Sequence, residues 1–469
     1  MLLQFSVENF LSFHDEVRLS MIPSQDDRHP KHIVSTASHK ERRALRSAAI
    51  YGANGHGKTN LVHAMIFIRG LIINGSDVDR PIKVRKFKKQ SMMEEMPSSF
   101  IFNFVTDGVE YEYGIRVNRN HIAEEWLFSS PNGREVRLFE RITEFGKDGD
   151  TTTTVEVGPS LVKKIHQKKI SGKEFLDFVG LGTRPTQPFL TEAIQRNVEA
   201  LRPVYDWFRN SLQIISAEGE YAALEMRAHK DSDFVGKLST AIRNAGIGID
   251  HIETDVRTIE LDDFRDVPPE MLRDISDSLE TGSVALLGAR DSNRIMIQKN
   301  DNGDLEVIDL VFVHRREDGS EVRFTQDEES AGTRRLLHLI PMISELSHSD
   351  KTYIIDEIDR KLHPILAYDL LKNFLTESDC GQLIFTTHNT HLLDLDLFRR
   401  DEIWFVEKSS NGDSQLYSLS DLKVRADVEI KKGYLNGRFG AIPFLGSPQG
   451  LGWIDDKDDK INKQKKTTA

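Results

Sequence analysis

Residues 52–59 read Gly52-Ala53-Asn54-Gly55-His56-Gly57-Lys58-Thr59. An apolar run, Ala48-Ala49-Ile50-Tyr51, precedes them, and helix-spaced Leu61, Ala64, Met65, Ile68 and Leu71 follow. Strand, glycine loop and helix form the context that a G-x-x-x-x-G-K-[ST] phosphate loop requires. Glycines let the backbone wrap phosphate oxygens, and successive N–H groups and the helix N-terminus face the anion. The pattern assigns a triphosphate, read as ATP, to Gly52, Asn54, Gly55, Gly57, Lys58, Thr59 and Asn60. Lys58 would neutralise the β and γ phosphates, and the Thr59 hydroxyl would ligate Mg²⁺.

A phosphate loop alone does not specify the chemistry that follows, so a carboxylate-bearing strand end is needed. Tyr353-Ile354-Ile355-Asp356-Glu357 supplies one. An apolar strand ending in Asp-Glu puts Asp356 at the C-terminal edge of a sheet, within reach of the Mg²⁺ shell. Glu357 stands beside it, able to orient or deprotonate water. From residue 330 to about 407 helical and strand-like runs alternate, which indicates a parallel α/β sheet. These comprise a helix over 333–346, a strand at 353–355, a helix over 364–376, a strand at 383–385, a helix near 390–399 and a strand at 403–406.

The rest of the chain divides by periodicity. Leu3, Phe5 and Val7 alternate, as does 17–21, and residues 23–46 read as a polar surface loop. Residues 97–143 alternate with turn pairs Asp107-Gly108 and Asn132-Gly133, so antiparallel hairpins are expected. From about 160 to 285, runs such as TEAIQRNVEALRPVYDWFRNSL, SDFVGKLSTAIRNAG and PPEMLRDISDSL carry helical spacing. Strands return at 294–298, 305–314 and 321–325. The expected units are an N-terminal lobe 1–158, a helical insert 159–290, a C-terminal lobe 291–452 and a polar tail 453–469. That agrees with 469 residues at roughly 100–200 per domain.

Composition narrows the function classes. One cysteine, Cys380, excludes zinc sites built on paired cysteines, and with them the deaminase reading of His251-Ile252-Glu253. No apolar run reaches the ~18 residues a membrane helix needs, and the N-terminus lacks a basic secretory n-region. A cytoplasmic protein without a membrane partner is expected. A net charge of -12 argues against general nucleic-acid affinity, so any such contact must be local. Two basic clusters are candidates, Lys83 to Lys89 and Lys40, Arg42, Arg43 and Arg46; solvated surface is the commoner explanation. The pairs His388/His391 and His29/His32 read as bland histidines rather than metal ligands. Val204, Trp207, Phe208 and Leu212 read as core packing. Asn462-Lys463-Gln464-Lys465 lacks the aspartate of a guanine-reading motif.

The order of motifs resembles ATP-binding-cassette ATPases of the SMC and RecF kind, with an early phosphate loop, an insertion, and the remaining motifs close together near the C-terminus. Ser330-Ala331-Gly332-Thr333 resembles the S-x-G signature, on its S-x-G kernel. Tyr353-Ile354-Ile355-Asp356-Glu357 resembles the Walker B strand, Phe385-Thr386-Thr387-His388 resembles the switch-histidine strand end, and Asp359 with Lys361-Leu362-His363-Pro364 resembles the segment after Walker B. The resemblance implies an ABC-type, RecF/SMC-like α/β P-loop ATPase head with an antiparallel β lobe and an inserted helical subdomain. It implies that Ser330, Gly332 and Thr333 complete the site of a second copy, in a homodimer or higher homo-oligomer. It also gives His388 a γ-phosphate-sensing role beside the catalytic Glu357.

More narrowly, LLQFSVENFLSF, AAIYGANGHGKTNL, DEIDRKLHP and YLNGRFGAIPFL resemble AAA-family ATPases of abortive-infection (AbiL) and Rlo-type bacterial anti-phage defence. That resemblance implies an ATPase gating a separate effector, a Toprim-like nuclease. A DNA-repair or SMC-like ATPase acting directly on DNA, and a non-hydrolysing ATP-dependent scaffold, stay open as alternatives.

Overall fold

The structure is a computed structural model describing residues 1–36, 43–78, 80–145, 151–165, 170–222, 224–258, 277–281, 283–287, 295–422 and 430–441. Lys40, Arg42, residues 442–452 and the tail 453–469 with Asn462 to Lys465 lie outside the described residues, as does most of PPEMLRDISDSL.

Among the described residues the strands form four sheets. The central one runs β11-β17-β18-β5-β19-β20, from β5 (Ser47–Tyr51), β11 (Leu212–Ile215), β17 (Thr352–Ile355), β18 (Gln382–Thr386), β19 (Ile403–Lys408) and β20 (Ser414–Ser418). Its first five strands are parallel, and β20 closes the edge antiparallel to β19. Parallel sheets need cover on both faces, and the period-2 alternation of side chains supplies two apolar surfaces. Ile50, Ile354, Ile384, Trp404 and Val406 join one core. Tyr51, Ile355, Phe385 and Phe405 join another on the opposite face.

The first core is closed by helix α1 (Lys58–Asn74) and a seven-stranded antiparallel sheet, β10-β9-β8-β7-β6-β1-β2. That sheet comprises β1 (Leu2–Glu8), β2 (Val17–Ser20), β6 (Ser98–Thr106), β7 (Val109–Val117), β8 (Ile122–Ser130), β9 (Val136–Phe145) and β10 (Thr151–Val157). Two short helices, α2 (Gly172–Gly182) and α3 (Phe189–Gln195), pack into the same core. So do Val204, Trp207, Phe208 and Leu212, all buried, with the Trp207 ring stacked on Phe104 at 3.9 Å.

The third sheet holds β12 (Ile249–Thr258), β13 (Val284–Leu287), β14 (Ile295–Lys299), β15 (Leu305–Arg315) and β16 (Glu321–Thr325). It packs with α4 (Ser232–Asn244) against Leu336 and Leu337 of α5 (Ala331–Leu346). Helix α5 and α6 (Pro364–Glu377) also cover the second face of the central sheet. The small pair β3 (Ile33–Ser35) and β4 (Arg43–Leu45) lies within the stretch expected to be loop. Among the described residues no helix is long and apolar enough to cross a membrane.

Three expectations need correction. The segment 159–290 is not a purely helical insert: β11 enters the central sheet beside β17, and β12 is a ten-residue strand. A register shift between Ile249 and His251 leaves Ile249 and Ile252 both buried, three residues apart, so strict alternation is lost at the start of β12. Residues 390–399 form only a three-residue 3₁₀ turn, Thr390–Leu392. There Asp394 accepts the Asp396 N–H at 2.9 Å, a local alternative to helix. Arg46 is not a surface cation either; it is fully buried, donating to Ser378 Oγ at 2.7 Å and lying over the Phe374 ring.

Candidate functional site

Strand β5 is buried along its whole length and delivers its chain to Gly52 at the C-terminal edge of the central sheet. A Cβ on Gly52 would lie 2.4 Å from the Val406 carbonyl oxygen of β19. Gly55 and Gly57 take φ of +76° and +119°, in the region that glycine alone enters readily. Helix α1 then opens at Lys58 with Gly57 as N-cap and no side chain capping it. Its first-turn N–H groups thereby stay available to an anion.

Lys58 is 5 % exposed and folds back over the loop, donating from Nζ to Gly52 O at 2.7 Å and Ala53 O at 3.3 Å. Burial lowers its pKa to about 8, and Asp356, Glu357 and Asp359 pull it upward. Asn54 and Gly55 are exposed, and Thr59 is half-buried at the helix start. The Asn60 amide donates to Ser12 Oγ at 2.8 Å, which also bonds Ser414 Oγ at 2.8 Å. The side chain of Asn60 thus braces the loop against β20 and the turn before β2.

Strand β18 lies between β5 and β17, and all three are parallel. Their C-terminal ends therefore stand side by side: the glycine loop, then His388, then Asp356 and Glu357. Asp356 is 2 % exposed, and its Oδ1 accepts the Thr386 hydroxyl at 2.5 Å. That hydroxyl in turn accepts the Glu357 N–H at 2.8 Å. The link fixes the carboxylate and the next residue's backbone from the neighbouring strand. Glu357 sits at φ +47°, a strained value for a side-chain-bearing residue. His388 is exposed at its strand end. Partial desolvation and the Lys58 cation lower its pKa, opposed by Glu357, Asp359 and Asp356. His388 thus lies in the fields of both the lysine and the glutamate.

Ser330 is exposed and caps α5, its Oγ accepting the Thr333 N–H at 3.0 Å. Within the segment expected to complete the site of a second copy, the Thr333 N–H is thus engaged inside its own chain. A Cβ on Gly332 would lie 2.8 Å from the Lys361 carbonyl oxygen. The start of α5 therefore rests against the loop that carries Glu357.

The chain matches, over residues 47–394, the family described as "AAA domain, putative AbiEii toxin, Type IV TA system". It belongs to that family. No curated protein matches it. Among solved structures it is similar to the SMC head domain from Thermotoga maritima, at 13 % identity and a TM-score of 0.35, over 90 % of this chain and 99 % of that one. A second is the SmcHead bound to the C-winged helix domain of ScpA, at 12 % and 0.37, over 89 % and 97 %. A third is the Smc head domain with an extended coiled coil bound to the C-terminal domain of ScpA from Pyrococcus furiosus, at 12 % and 0.35, over 89 % and 96 %.

In this AAA-domain protein several residues at the site escaped sequence reasoning. Thr386 stood inside a quoted motif, yet only the β17–β18 pairing reveals that its hydroxyl bridges Asp356 and Glu357. Arg335 is 7 % exposed and donates to the carbonyls of Gly219 at 3.1 Å, Asp356 at 3.4 Å and Glu357 at 3.2 Å. A guanidinium in the amphipathic run RRLLHLIPMISEL was the available signal. Glu218, which follows β11, pairs with Arg360.

Proposed function

We propose that this protein binds ATP with Mg²⁺, hydrolyses it, and couples that cycle to pairing of two copies that gate a separate effector in bacterial anti-phage defence. The observation that carries the reading is the alignment of Lys58, His388 and the Asp356–Glu357 pair at three neighbouring parallel strand ends. The glycine-loop N–H groups and the start of α1 bind phosphate oxygens. Lys58 exchanges its contacts with the Gly52 and Ala53 carbonyls for the β and γ phosphates. Glu357 accepts the proton of the attacking water, and His388 hydrogen-bonds the γ-phosphate. The hydroxyl and carboxylate oxygens of Thr59 and Asp356 are the hard donors that suit Mg²⁺. The ion, when bound, neutralises phosphate charge.

Ser330, Gly332 and Thr333 act on the nucleotide of the second copy, so ATP holds the pair together and hydrolysis releases it. The effector is a second polypeptide, a Toprim-like nuclease, and the protein works in the cytoplasm. The resemblance of AAIYGANGHGKTNL and DEIDRKLHP to defence ATPases supports this part of the reading.

The purified protein tests the proposal. Lys58→Ala is expected to lose binding of a fluorescent ATP analogue. Glu357→Gln is expected to bind it, turn over about 100-fold or more slowly, and accumulate as dimer in light scattering. Tight binding by Lys58→Ala would remove the loop assignment, and parental turnover by Glu357→Gln would remove the base. Affinity capture with and without ATP then identifies the effector and shows whether nucleotide controls it.

A further inference from the structure

We propose that Arg360 and Glu218 form a shared-cation clamp that positions Glu357 for hydrolysis. The inference rests on the ATPase reading above and adds two residues to it.

Arg360 follows Glu357 by three residues in the loop between β17 and α6. Its Nη1 lies 3.4 Å from Glu357 Oε2, while its Nη2 makes a close ion pair with Glu218 Oε1. Glu218 comes from a different strand end of the same sheet edge, the loop after β11. Lys361 Nζ stands 3.9 Å from the other Glu218 oxygen. One guanidinium is therefore shared by two carboxylates from separate elements, with the closer contact on Glu218.

The backbone beneath this arrangement is fixed. Glu357 and Lys361, at φ of +47° and +63°, bracket Arg360. The Arg360 N–H donates to Glu357 O at 3.0 Å, and the Leu362 N–H to Asp359 O at 3.0 Å, closing a tight turn. Arg335 reaches from α5 to the carbonyls of Gly219 and of Asp356 and Glu357, holding the loops of both carboxylates on one buried group. The clamp thus stands on a rigid base, and its freedom lies in the side chains.

A guanidinium presents five donors in a planar fork, so it serves two carboxylates at once without turning. The long contact to Glu357 restricts that side chain to one direction while leaving its lone pairs open to water. Glu218 sets the balance. Without Glu218, Arg360 is free to close on Glu357 and occupy the lone pairs that the attacking water needs. Without Arg360, Glu357 loses its orientation. Neither residue touches the phosphate loop, so both act on turnover and leave nucleotide affinity alone. Arg360 and Glu218 are positioning residues.

The test uses the full chain and compares Arg360→Ala, Arg360→Lys, Glu218→Gln and the double variant Arg360→Ala/Glu218→Gln, with Glu357→Gln as reference. Both side chains are partly exposed, at 38 % for Arg360 and 60 % for Glu218, so neither is part of the core. Arg360→Ala is expected to lower kcat by about tenfold to a hundredfold, the range a misplaced catalytic group produces. KM and the affinity for a non-hydrolysable ATP analogue stay within about twofold. Glu218→Gln is expected to lower kcat less, the double variant to match Arg360→Ala alone, and Arg360→Lys to recover part of the loss. In the nucleotide-free protein, amide exchange across 356–362 is expected to stay unchanged in Glu218→Gln, since the turn is held by Arg335. Parental kcat in both Arg360→Ala and Glu218→Gln beside an inactive Glu357→Gln would overturn the clamp and leave the base in place. Additive losses in the double variant would overturn the sharing. An active Glu357→Gln would instead overturn the assignment of Glu357 as the base on which the clamp acts, and absence of turnover in the parental chain would overturn the ATPase reading itself.

Discussion

Gly57 shows how narrowly a single residue is constrained here. Its φ of +119° strains any side-chain-bearing residue, and a Cβ would stand 2.4 Å from Ser414 Oγ and 2.8 Å from Ser12 Oγ. Those two hydroxyls bond each other and brace the Asn60 amide, so they cannot retreat without loosening the base of the loop. Gly57→Ala is therefore expected to lower stability by about 1–3 kcal/mol and to weaken binding of an ATP analogue despite an intact Lys58. Thermal unfolding and a fluorescence titration measure the two effects. Ser414→Ala on the same background removes the contact but leaves the backbone strain, so only part of the loss returns. The glycine pattern in the sequence already marked position 57. It carried no sign of Ser12 and Ser414, which come from opposite ends of the chain and meet only because β20 closes the sheet. Lys58 illustrates the same division. Its identity was legible, whereas its retreat onto the Gly52 and Ala53 carbonyls is a fact of the folded loop.

At the scale of elements, the join between the antiparallel lobe and α3 depends on one buried ion pair. In the run IAEEWLF of β8, Glu124 pairs with Arg116 at the surface, while Glu125 is fully buried. Glu125 accepts the Phe189 and Leu190 N–H groups at 2.6 and 3.0 Å, capping α3, and the Tyr113 hydroxyl at 3.1 Å. Arg141, 3.6 Å away, donates to the carbonyls of Arg184 and Pro185 at 3.0 Å each and to that of Gln187. Removing one partner leaves the other charge buried alone, so Glu125→Ala or Arg141→Ala is expected to cost about 3–5 kcal/mol in urea unfolding. Burial raises the Glu125 pKa above its ordinary 4.5, against the pull of Arg141 and the N–H groups. The folded chain then keeps this proton where the unfolded chain has released it, so the group's contribution falls as pH rises through that window. Glu125→Gln is expected to abolish that dependence. Alternation made the hairpins of this lobe readable, as helix spacing did for α1 and α5. It failed for β11, whose first residue Leu212 continues the helical period of Val204, Trp207 and Phe208, and for β12, where a register shift between Ile249 and His251 interrupts the alternation. In both strands partner pairing decided the structure over local pattern.

For the whole molecule, the arrangement of α5 bears on why one copy would not suffice. Ser330 is exposed at the helix start, and Gly332 rests on the carbonyl of Lys361, the residue after the clamp arginine. Arg335 binds the same helix to the Asp356 and Glu357 backbone. A phosphate meeting Ser330 from a second copy would therefore press on the element that holds the first copy's Glu357. In the proposed pair, loading one pocket would thereby be linked to the geometry of the other. The sharing of each pocket between two copies predicts complementation between two defects, with the linkage setting how fast the restored pocket turns over. Lys58→Ala damages the loop and spares the serine segment, and Ser330→Arg does the reverse by placing a bulky cation at the helix start. Each variant alone is expected to lack turnover. Mixed in equal amounts, random pairing gives heterodimers that hold one intact pocket, so about a quarter of parental sites return. Turnover in the mixture should rise with total concentration as pairs form, and light scattering should report the dimer with ATP present. If both variants fold, pair with one another and still hydrolyse nothing, the pocket is not shared and Ser330 serves only as the cap of its own helix.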